Sequence, residues 1–222
     1  MIEIAGKQVF TELSEIVDPA HTALLIVDMQ RDFCCAGGGF DRLGVDISMY
    51  PPVIERIAEL LAAARQHGVL PVFIQMTVLP NRASESPAQI RFNLRLHGGH
   101  HGQAEPLAYT LDGSEGQRFV PGLEPRDGEL VVKKYRSSAF WGTNLALLLR
   151  SNGIKSVVAP VTTEGCVEST ARDAMFSDYY VVLATDAVGS DDRAQHDASM
   201  FLMAHRFDLA TSEDIRKHWA AR

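Results

Sequence analysis

Five consecutive apolar residues, Ala23 to Val27, stop abruptly at Asp28. A run without polar alternation suits a central parallel strand covered on both faces, because neither side of its pleat meets water. The chain beyond it repeats the theme. Val53 to Gln66 sets Ile54, Ile57, Leu60 and Leu61 on one helical stripe, with Gly68 as its C-terminal cap. Val69 to Ile74 supplies the next strand, and Val131-Val132 a short apolar segment after the turn-forming stretch Pro125 to Gly128. Leu145 to Leu149 belongs to a helix ended by Asn152-Gly153, and Ser156 to Val161 reads as another strand. A helix from Thr163 to Ser177, a strand from Tyr179 to Ala184, a helix from Arg193 to Ala204 and a final strand near Phe207 to Leu209 continue the pattern. These repeated units predict an α/β fold: a doubly wound, mostly parallel open sheet with helices on both faces. In such a sheet a site is expected outside the carboxyl ends of the strands.

The chain has 222 residues, 46% of them hydrophobic, enough for one substantial core, and a single domain over residues 1–222 is expected. A formal charge of −7 argues against unspecific attraction to nucleic acid or to an anionic membrane. The N-terminal segment lacks the basic and then apolar runs of a secretory signal, and no stretch approaches twenty apolar residues, so a cytoplasmic protein is expected. Three cysteines cannot all pair, and adjacent Cys34 and Cys35 are poorly placed to bridge each other. Two long irregular stretches, Phe33 to Tyr50 and Leu79 to Pro121, interrupt the regular pattern; the second has room for a short helix near Pro87 to Leu96. Loops of this length in a compact domain often cover or shape a site.

Candidate chemistry gathers at the strand ends. Asp28 terminates one apolar strand, Lys134 follows Val131-Val132, and Cys166 lies just past Val161 where a helix opens. A cysteine in a first helical turn has its thiolate favoured by the helix dipole, and a neighbouring ammonium favours it further. A carboxylate beside it can take the thiol proton and return it to a leaving amine. The same residues also fit a bland reading, with Cys166 as a small core residue, Asp28 as a capping carboxylate and Lys134 as an exposed charge.

Three segments carry a resemblance that separates these readings: LLIVDMQRDF at Leu24–Phe33, VVKKYRSSAFWGTNL at Val131–Leu145 and VTTEGCVESTARDA at Val161–Ala174. Together and in this order they resemble the signature regions of the isochorismatase-like cysteine hydrolases, from Ala23 to about Leu209. The resemblance implies a catalytic triad of Asp28, Lys134 and Cys166, with the spacing to Ser138 selecting Lys134 over Lys133. Strand alternation independently expects the two lysines to point in different directions. The resemblance further implies a non-proline cis peptide at Val161–Thr162, with the backbone N–H groups of Thr162 and Cys166 as oxyanion donors. The chain departs from the pattern at Pro160, where many relatives have glycine, and at Thr162-Thr163-Glu164-Gly165, where many have a small residue and then T-N-V or T-D-V.

The implied reaction is hydrolysis of a C–N bond through a covalent cysteine intermediate, without cofactor. Nicotinamidase relatives carry an Asp-x-His metal-binding segment after the second strand. Here Gln75 to Leu79 leads to Pro80-Asn81 without it, and His97, His100 and His101 have no completing ligand spacing, so no metal is expected. The stretch from Gly37 to Ile57 is similar to that of ureide-cleaving members, which implies a small ureide or N-carbamoyl substrate. An amidase for a maleamate-like or nicotinamide-like compound is the alternative, and a noncatalytic binding protein a distant third. Gln30, Phe33, Phe40, Tyr135, Trp141 and Arg172 lie in or near the matching segments and are candidates for substrate contact. Family resemblance also implies a homodimer or homotetramer.

Overall fold

The structure, a computed structural model, describes residues 1–96, 109–159 and 163–221. Eight strands are defined among these: β1 (Ile2–Ile4), β2 (Lys7–Val9), β3 (Thr22–Val27), β4 (Leu70–Met76), β5 (Leu130–Lys134), β6 (Ser156–Ala159), β7 (Tyr180–Ala184) and β8 (Asp208–Ala210). The first two form an antiparallel hairpin, and the others build one sheet in the order β5-β4-β3-β6-β7-β8 with every described pair parallel. Strand β3 lies near the middle and all six of its residues are buried, which is why its sequence shows no alternation.

Six longer helices accompany the sheet: α1 (Tyr50–His67), α2 (Pro87–Leu96), α3 (Leu145–Ser151), α4 (Glu168–Phe176), α5 (Arg193–Met203) and α6 (Ser212–Ala220). Strand alternation divides the core between them. Leu24, Ile26, Phe73, Val158 and Val182 pack on one face with Ile57, Leu60 and Leu61 of α1 and with Ile215 and Trp219 of α6. Ala23, Leu25, Val27, Ile74, Val157 and Leu183 pack on the other with Leu145, Leu149, Ala171, Ala174 and Met203 of α3, α4 and α5. Fully burying a side chain such as Leu60 stabilises by about 1.5–3 kcal/mol, so these two layers hold the sheet between them.

Chain order reverses at β3. It runs outward through β4 to β5, then crosses back to place β6 on the other side of β3. A crevice opens at such a reversal because the connections leave in opposite directions. Asp28 and Cys166 follow the two strands that flank it.

Several described elements lie outside the sequence expectation, among them the N-terminal hairpin and helix α6. The β1–β2 hairpin is short and exposed, three residues to a strand. Helix α6 follows a side-chain cap, since Thr211 accepts the backbone N–H of Asp214. Its Trp219 is fully buried and donates its indole N–H to the Val17 carbonyl at 2.9 Å, which satisfies the group that makes burying a tryptophan costly. No helix among the described residues is long and apolar enough to cross a membrane.

Candidate active site

Lys134 is the last residue of β5, two strands from Asp28, and its long stem spans the end of β4 beside Met76. The ammonium is fully buried. Its Nζ lies 2.8 Å from Asp28 Oδ2 and 3.0 Å from Cys166 Sγ, and it also donates to the carbonyls of Arg136 and Ser137, both at 3.0 Å. Burial alone would pull its pKa down, but Asp28 and the Cys166 sulfur outweigh that and raise it above the ordinary lysine value. Lys133 points the other way into solvent and pairs with Asp112 at 2.5 Å. Alternation along one strand thus gives adjacent lysines different environments, as their sequence positions predict.

Asp28 sits just past β3 in the left-handed region, at φ 55°, a conformation rare for a residue with a Cβ. Its N–H still donates to Ile74 on β4, so the turn away from the sheet begins only at this residue. The carboxylate is 1% exposed, and Oδ1 has no hydrogen-bond partner among the described residues. Backbone strain of this kind costs on the order of 1–3 kcal/mol and persists where surrounding contacts over-determine it. Gln30 supplies one such contact: its amide donates to the carbonyls of Met76 and Gln117 and accepts the Met76 N–H.

Cys166 lies in a π-helical turn, Thr163–Val167, that leads into α4. Such turns widen the helix locally and are frequent at functional sites. The thiol differs from the sequence expectation of a favoured thiolate. Burial pushes it up to about 12 and the Asp28 carboxylate adds to the rise, while Lys134 pulls the other way. Burial and the Asp28 carboxylate thus disfavour the thiolate, and Lys134 favours it. The loop holding Lys134 in place is anchored to α4, because Ala139 N–H donates to Thr170 Oγ1 at 3.0 Å. Ser138 turns inward and accepts the Phe140 N–H.

A narrow cleft with about 90 Å3 of accessible space leads to Asp28 and Cys166. Phe33, Phe40 and Tyr109 form one wall, with ring centroids 4.9 to 5.5 Å apart in edge-on or tilted contacts. Asp32 holds the two loops that carry these rings: its carboxylate accepts the N–H groups of Gly39 at 2.8 Å and Thr110 at 2.7 Å. Gly116 is tight against that carboxylate, since a Cβ there would fall 2.1 Å from its atoms.

The candidate contact residues divide. Phe33 and Phe40 line the cleft. Gln30 does not, because its buried amide is committed to backbone groups of β4 and the neighbouring loop. Tyr135 faces a separate shallow depression; Trp141, 66% exposed beneath the Arg136 guanidinium, borders that depression and also one that adjoins the cleft through Gln89, Phe92 and Ser137. Arg172 pairs with Glu168 one helical turn earlier, at 2.6 Å. The proposed cis peptide at Val161–Thr162, the Thr162 oxyanion donor and the histidines at 97, 100 and 101 lie outside the described residues. Sequence reasoning missed Met76, Gln89, Phe92, Asn93, Tyr109, Glu164, Asp191 and Gln195, all of which line the cleft. A signal existed for two of them: Glu164 lies two residues before Cys166, and Asp191 lies in the loop leaving β7, at the same carboxyl edge of the sheet.

A cysteine, a carboxylate and an ammonium are thus gathered at the switch point of a parallel sheet. Residues 22–214 match the isochorismatase domain, and the chain belongs to that family. It is 34% identical over 203 residues to a ureidoacrylate amidohydrolase of Pseudomonas savastanoi pv. phaseolicola, covering 88% of this chain and 82% of the relative. It is likewise 34% identical over 174 residues to a ureidoacrylate amidohydrolase of Enterobacter sp. (strain 638), covering 76% and 75% of the two chains. The fold matches a cysteine hydrolase from Pseudomonas syringae pv. phaseolicola with a TM-score of 0.78 at 20% identity, over 93% of this chain and 95% of that one.

Proposed function

We propose that the chain is a metal-independent amidohydrolase that cleaves a C–N bond in a small ureide or N-carbamoyl compound, with Cys166 as nucleophile. The observation that carries this reading is the buried Lys134 ammonium, which touches Asp28 and the Cys166 sulfur at once, at the foot of a cleft walled by aromatic rings. The similarity to ureidoacrylate amidohydrolases over most of the chain supports the ureide class.

Burial and Asp28 disfavour a free thiolate, so in the proposed cycle proton transfer accompanies attack. Asp28 takes the proton from sulfur as Sγ bonds to the carbonyl carbon, and Lys134 stabilises the charge that develops on sulfur. Backbone N–H groups of Cys166 and Thr162 are the proposed donors to the resulting oxyanion; both come from the family resemblance. Collapse breaks the C–N bond, and the protonated Asp28 gives its proton to the departing ammonia or amine. A thioester or thiocarbamate remains on Cys166. Asp28, again a carboxylate, takes a proton from water as the water oxygen attacks; the C–S bond then breaks and the proton returns to sulfur. A nucleophile, a proton carrier and a fixed cation complete this cycle without a Lewis acid.

The test incubates purified protein with N-carbamoyl amino acids, ureidoacrylate, biuret, allophanate, maleamate and nicotinamide, measuring ammonia and identifying the organic product. Turnover of at least one ureide, with no faster turnover of maleamate or nicotinamide, supports the proposal. A preference for a simple amide, or no C–N cleavage in the panel, overturns it.

A further inference from the structure

The three rings that wall the cleft share more than their mutual contacts. Each is next in the chain to a group that meets one buried carboxylate: Phe33 follows Asp32 itself, Phe40 follows Gly39, and Tyr109 precedes Thr110. Asp32 is 4% exposed. Its Oδ1 accepts the Gly39 N–H at 2.8 Å and its Oδ2 the Thr110 N–H at 2.7 Å, with the Arg42 guanidinium 3.6 Å from Oδ1. The Asp32 N–H donates to the Gly116 carbonyl at 2.9 Å, and the space where a Gly116 Cβ would stand is filled by the carboxylate, 2.1 Å away.

A carboxylate suits this junction because both of its oxygens accept, whereas the amide of asparagine offers one oxygen and turns donors towards the second N–H. The reacting groups are anchored elsewhere. Lys134 is held by the carbonyls of Arg136 and Ser137, and the Asp28 N–H donates to Ile74. Loosening Asp32 therefore shifts the wall and leaves the nucleophile, carboxylate and ammonium where they are. A displacement of about 1 Å in groups that position a substrate is enough to cost on the order of a hundredfold.

We infer that Asp32 is a positioning residue for substrate recognition: it sets the rings of Phe33, Phe40 and Tyr109 against which the body of the ureide packs, and it acts on binding rather than on bond cleavage. The assignment deepens the C–N hydrolase reading of the same site and rests on it.

Ureidoacrylate and propylurea are the probes. Each is measured by ammonia release and by protection of Cys166 from iodoacetamide, which reads binding whether or not the ligand turns over. Asp32→Asn raises KM and the concentration needed for protection by about tenfold, while kcat stays within about threefold of wild type. Phe40→Ala weakens binding by itself, and adding Asp32→Asn to it weakens binding little further, because both changes act on one wall. Gly116→Ala keeps the carboxylate but displaces it and raises KM in the same way, which carries the test should Asp32→Asn not fold. A residue needed only for folding would lower the fraction of reactive Cys166 and leave KM of the remaining molecules unchanged. The expected pattern of protection without turnover leaves the positioning assignment standing and removes the hydrolase reading for these ureides. Unchanged KM and protection in the folded variants, additive effects of Asp32→Asn and Phe40→Ala, loss of kcat alone, or no protection of the wild type by either probe overturns the assignment.

Discussion

Replacing Lys134 by methionine keeps most of the stem volume and deletes one charge from a fully buried pair. The perturbation is severe because Asp28 Oδ2, 2.8 Å away in a residue 1% exposed, loses its counter-ion without gaining water, and the carbonyls of Arg136 and Ser137 lose a donor. Breaking a buried pair by removing one partner costs about 3–5 kcal/mol, a large share of the roughly 5–15 kcal/mol that holds a domain folded. Removing both charges together costs less than the sum of the single changes, since Asp28→Asn leaves no uncompensated anion. Urea unfolding of wild type, Lys134→Met, Asp28→Asn and the double variant measures the coupling, expected at roughly 1–3 kcal/mol. Lys134→Met also slows alkylation of Cys166 near neutral pH, because Lys134 is the group that pulls the thiol pKa down. Lys133→Met, which removes an exposed charge paired with Asp112, has a much smaller effect on both. Additive single variants, or a Lys134→Met protein as stable as wild type with equal alkylation, would refute the buried pair as the organiser of the site.

Other consequences are equally open to measurement. Cys166→Ser keeps the fold and loses far more turnover than Cys34→Ser or Cys35→Ser, as steady-state rates will show, because an unactivated hydroxyl is a weaker nucleophile than a thiolate. The raised thiol pKa has a stability signature of defined sign: the neutral thiol of the folded state contributes fully below the ordinary value of 9.0, and that contribution is lost as pH rises towards about 12. Urea stability of wild type therefore falls more steeply above about pH 9 than that of Cys166→Ser; parallel curves would contradict the shift. Gly116→Ala drives a methyl into the Asp32 carboxylate and destabilises by roughly 1–3 kcal/mol, read from the denaturation midpoint. Exhaustive chelation, checked by elemental analysis, leaves turnover of the identified substrate nearly intact; loss restored by one divalent metal would end the metal-free mechanism.

What the sequence discloses and conceals follows from how each feature is encoded. Ala23 to Val27 announces a central strand because burial on both faces forbids alternation, and the Leu60 and Leu61 stripe announces α1 because its period is that of a helix. Helix α2 occupies Pro87–Leu96, the interval that its opening proline and the length of the apolar pattern suggest. The β1–β2 hairpin offers only the brief alternation Ile2-Glu3-Ile4, too short to set a strand apart from a loop. At the site, Asp28, Lys134 and Cys166 stand at strand ends and are visible from topology together with the resemblance. Their spacing and protonation are not, because the thiol's pKa depends on burial and on a carboxylate 138 positions away in the chain. Residue type alone cannot show which way a side chain has been spent. Gln30 and Arg172 have groups suited to binding substrate, yet one ties β3 to β4 and the other pairs along its own helix. Tyr109 and Asp191 reach the cleft from loops whose course no periodicity describes.

The most direct test of the account is to catch the covalent intermediate. Protein mixed with a turned-over ureide is acid-quenched during steady state, digested and analysed by mass spectrometry. The account predicts an added mass equal to the substrate's acyl or carbamoyl fragment on the peptide carrying Cys166, appearing with the first turnover and decaying when substrate is exhausted. Steady product formation with every cysteine unmodified, together with turnover retained by Cys166→Ser, would contradict it.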